Sequence, residues 1–215
     1  MPEETTIHEK TREIKKELRL AMNGIVSSLQ RNQGLNYKIN FGVEVPRLKA
    51  IAANHAQDKE LALTLWQDNI RECKLLAILL LPQEHYAEVA EKWTAEAPFT
   101  EIADHLTKTI LCTIDNAIDN ALSNIRRTEG MFRYCGYLTL AHLLRSGMGL
   151  TDEQAKIFLT EVRDINDCEN RTPVVTTAYN SLMYYIDNQT GGYDKATVVF
   201  GEKEGKLELL ETIVG

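Results

Sequence analysis

Apolar residues recur at three-, four- and seven-residue steps along nearly the whole chain, in short runs separated by brief polar links. That spacing is the period of amphipathic helices and not the alternation of half-buried strands. Ile7, Ile14, Leu18, Ala21, Ile25 and Leu29 predict one long N-terminal helix, and Gly34, after the polar Arg31-Asn32-Gln33, marks its stop. After the Asn40-Phe41-Gly42 turn, Pro46 falls in the first turn of a helix, where its missing N–H leaves no bond unmade. Leu48, Ile51 and Ala52 form that helix's apolar face. Asp58 caps a helix over 59–66, with Glu60 in its electropositive first turn. Further helices are predicted over 69–80, 83–96, 100–113, 116–126, 131–146, 152–164 and 173–187. Thr151-Asp152-Glu153 and Thr172-Pro173 supply the caps of the last two.

No short helix hides its apolar stripe alone, so neighbours must stack. Paired helices at a period of roughly 30–45 residues predict an all-α, HEAT-like α-solenoid of antiparallel pairs over residues 1–190. The remainder, 191–215, reads as a Gly-containing extension. It begins with Gly191-Gly192-Tyr193, has one short strand at Thr197–Phe200, and ends in a brief helix over 207–213. The chain has 215 residues, of which 44% are apolar, enough to bury a core of this kind. Its longest uncharged apolar run, Leu75 to Pro82, is too short to span a bilayer. The charged start, without the apolar core of a signal peptide, leads to an expected cytoplasmic location with no membrane contact. Cys73, Cys112, Cys135 and Cys168 stand singly, with no His at ligand spacing, and are expected to be reduced thiols with no metal or cofactor. The net charge of −7 weighs against a globally basic nucleic-acid binder but leaves room for a local basic groove.

The stretch from Phe41 to Leu80 resembles the opening of the DNA alkylation repair (AlkD-like) family of HEAT-like-repeat DNA glycosylases. The resemblance lies in VPRLKAIA (Val45–Ala52), ELALTLWQDNI (Glu60–Ile70), RECKLLA (Arg71–Ala77) and the Gly-x-x-Val-Pro-x-Leu pattern of Gly42–Leu48. It continues more loosely over about three quarters of the chain. It implies a carboxylate, two Trp rings and basic side chains around a damaged nucleotide on a concave face. An alkylated purine is cationic and its departure builds positive charge on the sugar, which a fixed carboxylate and electron-rich rings stabilise. Asp104 in FTEIADHLTKTIL takes the catalytic carboxylate's place by this resemblance. Thr100 stands where the preceding Trp would be, and Asn180 in AYNSLMYYI stands at the second Trp position. Tyr134, beside Arg133 in MFRYCGYLTLA, stands at the phosphate-contacting Arg. Trp66 and Trp93, the chain's two tryptophans, lie far from both places, and Trp66 reads as core.

Two readings follow. In the first, the chain binds double-stranded DNA and excises alkylated bases if the altered aromatic positions permit it, with Arg47, Lys49, Lys74, Lys108, Arg133 and Arg171 on phosphates. In the second, it is a non-catalytic scaffold binding a protein or peptide. Asp104 also sits four residues before Lys108, the spacing of an ordinary surface ion pair. His105, about 100° from Asp104 around the helix, is expected on another side. Tyr134, Tyr137, Tyr179, Tyr184 and Tyr185 are candidates to supply substitute π-faces for the absent Trp rings, though at helical spacing tyrosines are more often packing residues. Asp115, Asn116, Asp119 and Asn120 lack the glycine and terminal glutamate of a calcium loop and read as a polar helix face.

Overall fold

Thr6 begins the first helix with a capping box: its hydroxyl accepts from the Glu9 amide while the Glu9 carboxylate reaches back to the Thr6 amide at 2.9 Å. A computed structural model describes residues 6–165 and 172–214, all helix, turn or loop, with one isolated bridge between Ile39 and Ile70. It divides into two compact units, Met1–Val89 and Ala90–Gly215. None of the helices among the described residues is long and apolar enough to cross a membrane.

The first unit holds α1 (Ile7–Leu20), α2 (Gly24–Asn32), α3 (Val45–Ala52), α4 (Lys59–Gln67) and α5 (Arg71–Leu80). The single N-terminal helix expected from the apolar period is two helices. Asn23 breaks it, its side chain accepting from the amides of Ile25 and Val26 as the N-cap of α2. In α1, Thr11, Ile14 and Leu18 are buried and the helix packs on α4. Lys10 reaches Asp58, the N-cap of α4, at 2.7 Å, and Lys15 reaches Asp68, its C-cap, at 2.9 Å. Both ends of α4 are thereby tied to α1. The loop before α3 is held from beneath. Arg71 and Glu72 are 2% and 0% exposed, and the Glu72 carboxylate accepts from Arg71 Nη1 at 3.1 Å and from the amides of Phe41 and Val43. Arg71 Nη1 also donates to the Val43 carbonyl at 2.9 Å. Gly42 sits in this loop at φ +71°, and a Cβ there would run into the Asn23 carbonyl and the Ser27 amide of α2.

The unit boundary falls within α6 (Tyr86–Glu96), which a 3₁₀ turn at Gln83–His85 precedes. The second unit continues with α7 (Thr100–Leu106), α8 (Ala117–Ile125), α9 (Gly130–Arg145), α10 (Asp152–Arg163) and α11 (Pro173–Asn188), then α12 (Gly192–Gly201) and α13 (Lys206–Val214). Helix α9 is its centre, packed against both α8 and α11. Gly136 allows the close approach to α8, since a Cβ would stand 2.8 Å from the Ala121 carbonyl and 2.9 Å from the Ile125 amide. The core joins Tyr137, Leu140 and Leu144 to Phe158, Leu182, Tyr185 and Phe200. The strand expected at Thr197–Phe200 is part of α12. Ala196, Val199 and Phe200, at helical spacing, are buried and α12 packs on α10 and α11, so tertiary burial overrides the β-branched composition. The final extension is therefore helical and belongs to the second unit.

Candidate functional site

Helices α7, α9 and α11 of the second unit wall a cavity of about 430 Å³. Helix α7 brings Asp104 and His105, and its continuation brings Lys108. That continuation, Thr107–Leu111, is a π turn in which the Cys112 amide bonds to the Thr107 carbonyl, five residues back, at 3.0 Å. Such widened turns recur at functional sites. Helix α9 contributes Tyr134, Leu138, Ala141, His142 and Arg145, a stripe at three- and four-residue steps. Helix α11 adds Thr177, Asn180 and Tyr184 on the same principle.

Within the cavity Tyr134 bonds to Asp104: the phenol donates to Asp104 Oδ1 at 2.6 Å. Burial, and then the carboxylate itself, raises the Tyr134 pKa above its usual value, so the hydroxyl stays protonated and keeps donating. Among the described residues no ion pair joins Asp104 to Lys108; the carboxylate's partner is the tyrosine. The guanidinium of Arg145 lies 5.9 Å from the Tyr184 ring centre, over the face that a cationic ligand would seek. Asp104, Lys108 and Arg145 together leave one net positive charge in a chain whose total is −7. Burial lowers the His142 pKa from its ordinary 6.5, and Lys108 and Arg145 push it the same way. The adjacent Cys135 thiol is pushed up to about 12 by burial and is inert at neutral pH.

A folded-state pKa below the unfolded one means that the unfolded chain takes the proton first as the pH falls. Stability should therefore be complete above pH 6.5 and fall as the solution is acidified through that window. His142→Gln should lose less of its thermal midpoint than the wild type between pH 7.5 and 5.5. Equal losses would show that this histidine is not a source of the acid sensitivity.

Of the residues singled out from sequence, Asp104, Lys108, Tyr134 and Asn180 share this cavity. His105, expected on another side of its helix, lines it beside Asp104. Arg133 faces the Tyr137 phenol one turn on and is not part of the cavity wall. Lys74 is corrected outright as a phosphate contact. It is 8% exposed, its ammonium donates to the Trp66 carbonyl at 2.8 Å, and it lies 4.4 Å over the Trp66 ring. Arg47 and Lys49 are exposed on α3 of the first unit. Arg171, with Cys168, lies outside the described residues. Trp66 and Trp93 are buried at 1% and 0% exposure, so neither ring offers a face to a ligand. Of the candidate substitute rings, Tyr137 and Tyr185 are core, whereas Tyr134 and Tyr184 line the cavity. Among the described residues no group of acidic, His or Cys side chains is placed to hold a metal ion. His142 and Arg145 were missed, although the i, i+4 continuation from Tyr134 through Leu138 reaches His142.

The chain belongs to the DNA alkylation repair enzyme family, whose model matches residues 14–167. A solved structure, described as from a new family of proteins related to the HEAT-like repeat DNA glycosylases with affinity for branched DNA structures, is similar to it over 94% of this chain and 92% of that one. The TM-score is 0.74 and the identity 16%. At that identity the likeness establishes the fold, an all-α HEAT-like repeat. No curated protein matches the chain.

Proposed function

We propose that this chain binds DNA through the cavity of its second unit and does not efficiently excise alkylated bases. The observation that carries the reading is the Tyr134–Asp104 hydrogen bond in a cavity that holds Lys108 and Arg145 but no tryptophan. A carboxylate that stabilises a departing glycosyl cation works through its full negative charge. Here a neutral phenol draws on that charge, and a guanidinium already stands over one of the cavity's two tyrosine rings. The site is better furnished for an anion than for a cationic base, and phosphate is the anion a DNA backbone offers. Membership of a DNA repair family, and the branched-DNA affinity described for the similar structure, support DNA as the polymer. A scaffold for a protein or peptide is the competing reading, and the acidic total is what favours it.

The test uses a linear duplex and a four-way junction in a salt series. With about three phosphates engaged, affinity should fall by roughly 50-fold between about 50 and 200 mM salt. Undetectable binding at the low end would remove the DNA reading. Methylated DNA should release bases no faster with the protein than without it. Release that Asp104→Asn abolishes would instead show a working glycosylase.

A further inference from the structure

The first unit leaves uncovered four aliphatic side chains within ten residues of one another in sequence. Leu20, Met22, Ile25 and Leu29 are 80%, 61%, 76% and 55% exposed. Helix α2 is seated by Ser27, whose hydroxyl donates to the Asn40 carbonyl at 2.9 Å. At 100° per residue, Ile25 and Leu29 each lie about 160° from Ser27, on the opposite face and one turn apart. An apolar pair of this kind on a solvent face marks a contact surface more often than a packing defect.

Its surroundings specify the partner's charge. From Leu18 to Val43 the chain has no Asp or Glu, although it carries 31 of them in all. The same stretch holds Arg19 and Arg31, in the last turns of α1 and α2, and Lys38. All three are exposed, and none forms an ion pair among the described residues. Lys10 and Lys15, by contrast, are consumed by Asp58 and Asp68. An acid-free stretch with three exposed cations, in an otherwise acidic chain, seeks a polyanion, and the exposed aliphatic side chains of the same stretch seek an apolar plane within that polyanion.

We propose that Ile25 and Leu29, with Leu20 and Met22, wedge against unstacked base faces at a branch in DNA, while Arg19 and Arg31 hold the flanking phosphates. Aliphatic side chains serve as wedges between base steps in DNA-bending proteins. In a linear duplex every step must first be opened, whereas at a branch point the stacking is already interrupted, so these side chains discriminate in favour of branches. The face suits DNA better than lipid. Polar Ser28 and Asn32 lie beside Ile25 and Leu29 on the exposed face of a nine-residue helix, which interrupts the broad apolar face that an interfacial helix buries. This inference rests on the DNA reading above, but it uses residues of the other unit.

The experiment compares wild-type protein, Ile25→Ser/Leu29→Ser and Leu20→Ser/Met22→Ser on a four-way junction and a linear duplex of equal length. All four positions are solvent-exposed, and unchanged circular dichroism confirms folding. The wild type should prefer the junction, and the serine pairs should lose that preference by about tenfold while keeping duplex affinity. A 2-aminopurine base at the branch point should brighten on wild-type binding, and much less with either serine pair. Arg19→Gln/Arg31→Gln should instead weaken both DNAs and lower the salt slope by about 2. Unchanged preference and unchanged 2-aminopurine signal in both serine pairs would overturn the wedge. So would equal wild-type affinity for the two DNAs, which leaves the DNA reading intact; binding to neither overturns both. Capture by phosphatidylserine vesicles that depends on Ile25 and Leu29, with no 2-aminopurine response, would reassign the face to a membrane surface.

Discussion

Glu72→Leu should destabilise the first unit by about 3–5 kcal/mol, the usual result of removing one partner from a buried ion pair. The magnitude follows from what the carboxylate holds. It is 0% exposed and accepts three hydrogen bonds, one from Arg71 and two from the backbone amides of Phe41 and Val43. Leucine would take the carboxylate from beside a guanidinium that is 2% exposed, leaving it its bond to the Val43 carbonyl, and would remove the acceptor of two amides. Each buried unsatisfied amide alone is worth about 1–3 kcal/mol. The Arg71→Met/Glu72→Leu pair should recover part of the loss, because a buried charge without its adjacent carboxylate disappears, while the amides of Phe41 and Val43 and the Val43 carbonyl still lack these partners. Urea denaturation of the two variants and the wild type measures the coupling directly. A loss below about 1 kcal/mol for Glu72→Leu would mean that water or a local shift replaces the carboxylate, and that the loop at 39–43 is not clamped from beneath.

The same pair shows how much could be read from residues alone. Arg71 and Glu72 stand adjacent at a helix start, where an acidic side chain is normally a solvated first-turn residue. Nothing in a single sequence says that the loop thirty residues earlier returns to cover them. Local signals with a local cause were legible: Pro46, Thr151 and Thr172 open helices as their chemistry requires, and Thr151 forms the expected capping box with Gln154. Signals that depend on a neighbour were not. The apolar period runs unbroken through Met22 and Asn23, yet the chain breaks there, because Asn23 and Ser27 dock on the 40–42 loop. Beyond that break Ile25 and Leu29 keep the helical period but face solvent, so periodicity alone mistook them for core. In the cavity, the resemblance led to Asp104, Tyr134 and Asn180, and the structure brings all three together. What the resemblance could not supply is the bond between the first two, which depends on how α7 and α9 cross. Nor could it find Arg145, which becomes visible only when the Tyr134 stripe is followed to the end of its helix.

Reversing the cavity's two cations, as Lys108→Glu/Arg145→Glu, should lower affinity for duplex DNA by on the order of 100-fold at low salt, equivalent to about 2.7 kcal/mol. With two fewer phosphates neutralised, the plot of log affinity against log salt should flatten by about 2. The added repulsion acts in the same direction, since the change takes the cavity from one net positive charge to three negative ones. Both side chains are solvent-exposed and neither lies in the core. Folding should therefore survive, because the substitutions remove only the weak cation–π attraction between Arg145 and Tyr184. Lys92→Glu is the control for general charge. This lysine is 59% exposed and its nearest acid, Glu96, stands 4.0 Å away, and its reversal should shift affinity by less than about twofold. Asp104→Asn tests the sign from the other side: removing the cavity's one negative charge should tighten DNA binding a few-fold, whereas a carboxylate needed to hold its ligand would make the same change weaken it. If the double reversal leaves affinity within about twofold of the wild type while Asp104→Asn weakens binding, phosphate does not enter this cavity, and the Tyr134–Asp104 pair serves a ligand that seeks negative charge.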